Sequence, residues 1–209
     1  MDNFATPQEE FWAGTFGSEY ISRNMSNELL ASNIAFFAEV LSSLDCPPKR
    51  ILEIGANVGM NIVALKHLLP SADFTGIEIN KTACEILKNT GCKVINQSIL
   101  TAEIDKKYDL VLSKGVLIHI TPEMLPTTYE RIYESAFSWI LLAEYYNPTP
   151  TSLPYRGVED RLFKRDFAGE MMDLFPDLKL HDYGFRYHRG MFPQDDISWF
   201  LLRKDKKYD

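Results

Sequence analysis

The sequence predicts an α/β fold in which a parallel sheet carries helices on both faces. Apolar segments of strand length alternate with amphipathic segments of helix length between residues 50 and 145. The segment Ile51–Asn61 runs from an apolar strand through a carboxylate and a glycine-rich turn directly into a helix. Phe74–Ile79 is a second strand that also ends in a carboxylate. In such folds the ligand binds at the carboxyl ends of the strands, so the sequence also predicts the position of the site.

Each element has a local signal. An aromatic, polar segment over residues 4–24 precedes a helix that has Ser26 as its N-cap and ends before Pro47. The alternating region is then predicted to contain strand 50–54, helix 60–69, strand 73–79, helix 81–89 ended by Gly91, strand 92–96, strand 108–113, a helix with Thr121 as N-cap and Pro122 at its first position, and strand 137–145.

The last third of the chain has a different character. Residues 148–158 contain three prolines and a glycine, and we expect them to form an irregular loop over the site. A helix around 165–175 follows. Leu178–Tyr187 and Ile197–Arg203 are predicted to be strands that pair antiparallel at the edge of the sheet.

Composition and charge exclude several function classes. The chain has 209 residues, enough for one domain, and a net charge of −7, which disfavours a nucleic-acid partner. Cys46, Cys84 and Cys92 show no C-x-x-C spacing and are expected to be reduced thiols of a cytoplasmic protein. There is no signal-peptide pattern, no apolar run of the ~20 residues that a membrane span needs, and no metal-ligand spacing among the four histidines. Oligomeric state stays open.

The two strand-terminal acids indicate a cofactor that contains a nucleoside. Glu78 lies 78 − 53 = 25 positions after Glu53, near the offset of about 20 residues at which an acid meets ribose hydroxyls in nucleoside-binding βαβ units. A nicotinamide-dependent oxidoreductase would need G-x-G-x-x-G, which Gly55 and Gly59 do not supply. A serine hydrolase is disfavoured because no G-x-S-x-G occurs.

Residues Glu53–Gly59 resemble the E/D-x-G-x-G-x-G motif of the Rossmann-like, S-adenosylmethionine-dependent methyltransferases, with Asn57 in place of the middle glycine. Asn tolerates left-handed backbone angles better than other non-glycine residues, so the turn remains feasible. Glu78 matches the family's ribose-binding acid, Ser98 follows the third strand where an adenine contact is usual, and Asp109–Ile120 looks like the fourth strand and the segment after it. The resemblance covers about residues 48–146 and implies S-adenosyl-L-methionine as cofactor.

A narrower resemblance lies at the two ends of the chain. It relates four segments to the methylases associated with pseudaminic acid biosynthesis: Glu10–Gly17, Tyr20–Asn24, Tyr145–Pro148 and Phe163–Phe167. It implies a role in the biosynthesis of surface glycans and a small-molecule acceptor. The basic residues of the last third favour an anionic acceptor, such as an acidic sugar, a sugar nucleotide or a phosphorylated metabolite.

The resemblance and the strand ends together give candidate site residues. The cofactor-binding candidates are Glu53, Gly55, Ala56, Asn57, Gly59, Glu78, Ile79, Ser98, Ser113, Lys114, Tyr20, Arg23 and Asn24. The catalytic candidates are His119, Tyr145 and Tyr146, and the acceptor-binding candidates are Trp12, Asn147, Tyr155, Arg156 and Arg165. Structural roles stay open, since aromatic side chains at helical spacing often pack on the core, His119 could be a packed or capping residue, and Lys114 a solvated one.

These observations predict one domain over residues 1–209. Residues 1–46 would form an N-terminal helical lid, 48–146 the cofactor-binding core, and 147–209 the acceptor loop and the C-terminal strands. The predicted activity is methyl transfer to a small anionic acceptor, with no nucleic acid and no membrane as partner. Two alternatives remain: a non-catalytic protein that binds S-adenosylmethionine, and a nucleic-acid-modifying methyltransferase.

Overall fold

The computed structural model describes residues 4–21, 25–155 and 158–205. The helices are α1 (Pro7–Ala13), α2 (Thr15–Tyr20), α3 (Asn27–Ser42), α4 (Met60–Leu68), α5 (Lys81–Leu87), α6 (Leu125–Ser135) and α7 (Phe167–Leu174). The strands are β1 (Arg50–Ile54), β2 (Asp73–Ile77), β3 (Lys93–Ile95), β4 (Tyr108–Lys114), β5 (Ala136–Glu144), β6 (Thr151–Tyr155), β7 (Val158–Lys164), β8 (Leu178–Arg186) and β9 (Ile197–Lys204).

Seven of these strands form one mixed sheet in the order β3-β2-β1-β4-β5-β9-β8. Strands β1 to β5 are parallel, whereas β9 runs antiparallel to both β5 and β8. The predicted α/β class and the antiparallel C-terminal hairpin are therefore confirmed. The strand order reverses between β1 and β4, and the carboxyl ends of these strands flank the crevice where such sheets bind ligands.

Each face of the sheet is covered by its own hydrophobic core. On one face α3 and α4 pack on the sheet through a cluster that includes Phe37, Leu65 and Trp199. On the other face α6 and α7 contribute Tyr129 and Met171 to a second cluster. Because both faces are buried, the central strands are continuously apolar rather than alternating.

The helix starts follow the capping rules. Ser26 accepts a hydrogen bond from the Leu29 N–H at 3.1 Å, as predicted for the N-cap of α3. Thr6 and Glu9 form a capping box at the start of α1. Within the described residues, no helix is both long enough and apolar enough to cross a membrane.

Two local predictions were wrong. The irregular loop expected over residues 148–158 is largely an antiparallel hairpin of β6 and β7, and Pro154 lies at a register shift, where a missing N–H is tolerated. The helix expected from Thr121 begins at Leu125, after a 3₁₀ turn over Pro122–Met124. Pro126 lies in the first turn of α6, since proline has no N–H to donate further along a helix.

Gly76 of β2 supplies a prediction about the packing beneath the glycine-rich turn. A Cβ atom at this position would lie 2.9 Å from Ala56 Cβ and 3.0 Å from Leu87 Cδ2. We expect Gly76→Ala to lower the free energy of unfolding by about 1–3 kcal/mol, because overpacking displaces the turn and α5. Urea unfolding measures the change, and Asp73→Ala, at the exposed start of β2, is the control that should change stability little.

Candidate functional site

A cavity of about 300 Å³ lies at the carboxyl ends of the parallel strands. Its walls come from the glycine-rich turn, from the segments that follow β2 to β5, from α1 to α3, and from the loop before β9. Twelve of the predicted site residues line it: Trp12, Tyr20, Gly55, Ala56, Asn57, Glu78, Ile79, Ser98, Lys114, His119, Tyr145 and Tyr155. The structure thus brings together residues that are far apart in sequence.

The glycine-rich turn uses left-handed backbone conformations. Gly55, Asn57 and Gly59 have φ angles of 64°, 48° and 86°. Asn57 therefore adopts the conformation that a glycine would have at this place, as the sequence argument requires. A Cβ atom on Gly55 would lie 2.6 Å from Val116 Cγ2, so the turn also needs glycine there to pack against the segment after β4.

Glu78 ties this turn to the end of β2. Its carboxylate is buried, and its Oε2 accepts a hydrogen bond from the Asn57 N–H at 2.7 Å. Its Oε1 accepts one from the Asn80 N–H, also at 2.7 Å. Burial raises the pKa of Glu78, and the backbone N–H groups oppose that rise by stabilising the charged form.

Glu53, on β1, has fewer hydrogen-bond donors than Glu78. Its Oε1 accepts a hydrogen bond from Asn61 Nδ2 at 2.6 Å, but no described residue donates to its buried Oε2. Burial raises the pKa of Glu53 to about 8, although Asn61 and Lys114 act in the opposite direction. Within the described chain the side-chain oxygens of Asn57 and Asn61, two residues that line the cavity, are likewise buried without a donor. Three acceptor oxygens in or beside the cavity lining thus have no donor among the described residues.

Lys114 is the only lysine or arginine among the described residues that line the cavity. Burial lowers its pKa, while the negative charges of Glu53, Asp195 and Glu144 oppose the decrease. Glu9 and Asp195 also line the cavity. The described lining is therefore not strongly basic, and the expected gathering of cationic side chains is absent from it.

Four aromatic side chains that lie close together form one wall of the cavity, the aromatic wall. The Trp12 ring lies with its centroid 4.7 Å from that of His119, 5.4 Å from that of Tyr20 and 6.3 Å from that of Tyr155. The rings come from α1, α2, β6 and the turn after β4, so they join the N-terminal helices to the core. The residues predicted to form a lid thus lie against the candidate catalytic histidine.

Asn80 holds these N-terminal helices in place. Its side-chain Oδ1 caps α5 by accepting from the Ala83 N–H, while its Nδ2 donates to the Trp12, Ala13 and Gly14 carbonyl oxygens at 3.1–3.3 Å. The side-chain amide of Asn80 therefore connects the end of α1 to the start of α5, directly after the Glu78–Ile79 segment.

Several predicted site residues lie elsewhere. Ser113 donates to Glu144, Asn147 donates to Thr149 and Thr151 within its own loop, Arg165 pairs with Glu170 at 2.7 Å, and Tyr146 packs on Phe200. These four side chains have partners in the fold and do not line the cavity. Glu53 and Gly59 are adjacent to it without lining it, and Gly59 faces Leu87 and Thr90. Arg23, Asn24 and Arg156 lie outside the described residues.

The structure adds residues that the sequence argument missed. Glu144 ends a buried strand with a carboxylate, which is the same signal that identified Glu53 and Glu78. Asn80 immediately precedes a helix, as N-caps do. Gln194 and Asp195 line the cavity from the loop between β8 and β9, and no local pattern marks them. Among the described residues no cluster of His, Cys, Asp or Glu is arranged to hold a metal ion.

Glu53 predicts a pH dependence of stability. Folding raises the pKa of Glu53 to about 8, so the folded protein binds the Glu53 proton more tightly than the unfolded chain does. The contribution of this protonated carboxyl to the free energy of unfolding is therefore complete below pH ~4.5 and is lost as the pH rises through 8. Glu53→Gln should therefore raise the melting temperature of the ligand-free protein at pH 8.5 and leave it nearly unchanged at pH 5.

The contrasting variant is Glu78→Gln. Both Glu78 oxygens accept hydrogen bonds from backbone N–H groups. In the glutamine variant the side-chain NH₂ must therefore face one of these donors, and the substitution should lower the melting temperature at either pH. Calorimetric melting of both variants tests the pair. A Glu53→Gln protein that is less stable than wild type at pH 8.5 would contradict the assignment of an ionised, under-satisfied carboxylate.

Asn80→Ser separates docking of the N-terminal helices from capping of α5. Serine is a good N-cap but has no amide to reach the α1 carbonyl groups. We expect residues 7–20 to exchange their amide hydrogens about tenfold faster or more, while α5 keeps its protection. Hydrogen exchange followed by mass spectrometry measures both segments. Equal protection of residues 7–20 in the two proteins would show that the aromatic contacts alone hold them.

No protein-family model matches the chain, and no curated protein matches it in sequence. Solved structures match it closely in fold. Magnesium protoporphyrin IX methyltransferase from Synechocystis PCC 6803, with bound S-adenosylmethionine, is 13% identical with a TM-score of 0.70, and the match covers 97% of this chain and 100% of that one.

Two further solved structures are similar to this chain in fold. The plantazolicin methyltransferase, in complex with S-adenosylhomocysteine, is 15% identical with a TM-score of 0.65 over 95% of this chain and 94% of that one. A Leishmania major S-adenosylmethionine-dependent methyltransferase is 18% identical with a TM-score of 0.70 over 94% and 80%. At these identities the likeness concerns the fold: the chain has the Rossmann-like fold of the class I methyltransferases.

Proposed function

We propose that this protein is an S-adenosylmethionine-dependent methyltransferase that acts on a small molecule. The observation that carries the proposal is the pair of buried acids, Glu53 and Glu78, on either side of a left-handed turn at the edge of the cavity. The fold supports it, because structural neighbours with the same architecture contain S-adenosylmethionine or S-adenosylhomocysteine.

The residues present fit this cofactor chemically. The free oxygen of Glu53 and the side-chain oxygen of Asn61 suit the ammonium group of the methionine part. Glu78 keeps lone pairs for the ribose hydroxyls, and Ser98 and Ile79 suit the adenine. Lys114 suits the methionine carboxylate or an anionic group of the acceptor, and Arg23 and Asn24 remain candidates for the carboxylate.

The bound cofactor supplies a methyl group on a positively charged sulfur. In the transfer the acceptor would take the methyl group, and the sulfur would keep the electron pair of the carbon–sulfur bond. The chain has to align the acceptor and exclude water, and the aromatic wall formed by Trp12, Tyr20, His119 and Tyr155 suits that task. Burial raises the pKa of Tyr145, which keeps its phenol protonated as a donor. We propose His119 as the candidate base for an acceptor proton.

The charges of the cavity lining narrow the range of acceptors that fit it. Lys114 is the one lysine or arginine of the described lining, and Glu9, Glu78 and Asp195 are acidic, so an acceptor with one negative group and neutral hydroxyls fits better than a polyanion. Among the expected classes, an acidic sugar is favoured over a sugar nucleotide or a phosphorylated metabolite. The setting in surface-glycan biosynthesis rests on the sequence resemblance of the chain ends.

We propose the same division of one domain as above: residues 1–46 cover the site, 48–146 hold the cofactor, and 147–209 help to form the acceptor side. A cytoplasmic location is part of the proposal, since the three cysteines are free thiols, as is usual in reducing compartments. The net charge of −7 disfavours a nucleic-acid substrate.

Calorimetric binding of S-adenosylhomocysteine tests the cofactor assignment. We expect micromolar affinity for wild type and binding at least about tenfold weaker for Glu78→Ala, which loses the carboxylate between the turn and β2. Asp173→Ala, on the exposed side of α7, is the control and should bind like wild type. Melting curves of each variant exclude unfolding as the cause.

The outcome also separates the alternatives. Absence of wild-type binding would refute the proposal and leave the fold alone. Binding without formation of S-adenosylhomocysteine from S-adenosylmethionine, in the presence of acidic sugars and other small hydroxyl compounds, would support a non-catalytic binding protein. Turnover only with an oligonucleotide would support the nucleic-acid alternative.

A further inference from the structure

We infer that Glu144 is a positioning residue, which fixes the cavity wall between β4 and the 3₁₀ turn that carries His119. Glu144 is the last residue of β5 and is buried. It does not line the cavity, so its effect must act through the groups that it binds.

The carboxylate accepts hydrogen bonds from four donors, one in β4 and three in the segment after it. Its Oε1 accepts from the Ser113 hydroxyl at 2.8 Å and from the Val116 and Leu117 N–H groups at 3.1 and 3.2 Å. Its Oε2 accepts from the Ile118 N–H at 3.4 Å. Three consecutive backbone N–H groups at the start of a helical turn have no partner within that turn, and a carboxylate is the acceptor that satisfies them best.

The segment held in this way forms part of the cavity. Val116, Ile118 and His119 all line it. Val116 also packs against Gly55, at the place where a side chain on that residue would lie. Movement of the turn would therefore change both the glycine-rich loop and the position of the candidate base.

The sheet fixes the carboxylate itself. Glu144 pairs with Ser198 of β9, and the preceding residue Ala143 pairs with Lys114 of β4. The C-terminal hairpin, through its strand β9, thus supports the residue that holds the turn. Burial raises the pKa of Glu144 to about 7, and its hydrogen bonds oppose that rise, as expected for a buried carboxylate surrounded by donors.

The test is amide exchange followed by NMR in the ligand-free protein, so it does not depend on the proposed function. We expect the amides of residues 116–118 to exchange about tenfold faster or more in Glu144→Ala, and the resonances of Gly55 and His119 to shift. Glu144→Gln keeps one acceptor oxygen and should be intermediate, and it replaces the alanine variant if that protein does not fold. The β1 and β5 amides should keep their protection.

Glu170→Ala is the matched control. Glu170 is a partly buried carboxylate that accepts hydrogen bonds from Tyr129 and Arg165, both at 2.7 Å, rather than from the backbone of residues 116–118. The inference fails if exchange at 116–118 is unchanged in the Glu144 variants, if Glu170→Ala increases it equally, or if Gly55 and His119 do not respond. The affinity of the wild-type protein for S-adenosylhomocysteine is measured separately and tests the proposed function. The outcome of the exchange experiment does not depend on it.

Discussion

Burial of a carboxylate at the end of a strand is costly unless hydrogen-bond donors surround it, and three parallel strands of this protein lead into such a group. Glu78 and Glu144 obtain donors from backbone N–H groups of neighbouring turns, and each therefore fixes the shape of a turn. Glu53 obtains one side-chain donor and keeps a buried oxygen without one among the described residues. Two of the acids thus hold turns that border the cavity, and the third is the one that we propose for the ammonium group of the cofactor.

The central sheet and half of the site could be predicted because their signals are local. Alternation of apolar strands with helices, the acids Glu53 and Glu78, and the glycine-rich turn are all contiguous in sequence. The left-handed conformation of Asn57 follows from residue type. Each of these features is determined by a few neighbouring residues, so the chain order alone is enough to find them.

The remaining features depend on partners that no local sequence pattern identifies. The hairpin of β6 and β7 is stabilised by pairing across strands, whereas its prolines are typical of a loop when considered alone. Asn80 binds carbonyl groups that lie 66 to 68 positions earlier. Arg165 was expected at the acceptor and instead pairs with Glu170, five positions later on α7. The sequence identifies the charged side chains, but only the fold determines which of them face the cavity.

Besides the Ser18 hydroxyl, the Asn80 amide reaches the N-terminal helices through main-chain carbonyl groups, those of Trp12, Ala13 and Gly14. Every amino acid has such a carbonyl group, so this attachment places no demand on the side chains at those positions. This attachment therefore tolerates an exchange of the Trp12 ring, and with it a change in the shape that an incoming molecule meets. Diversification of substrate preference is then separable from folding, and the same separation is open to a protein engineer.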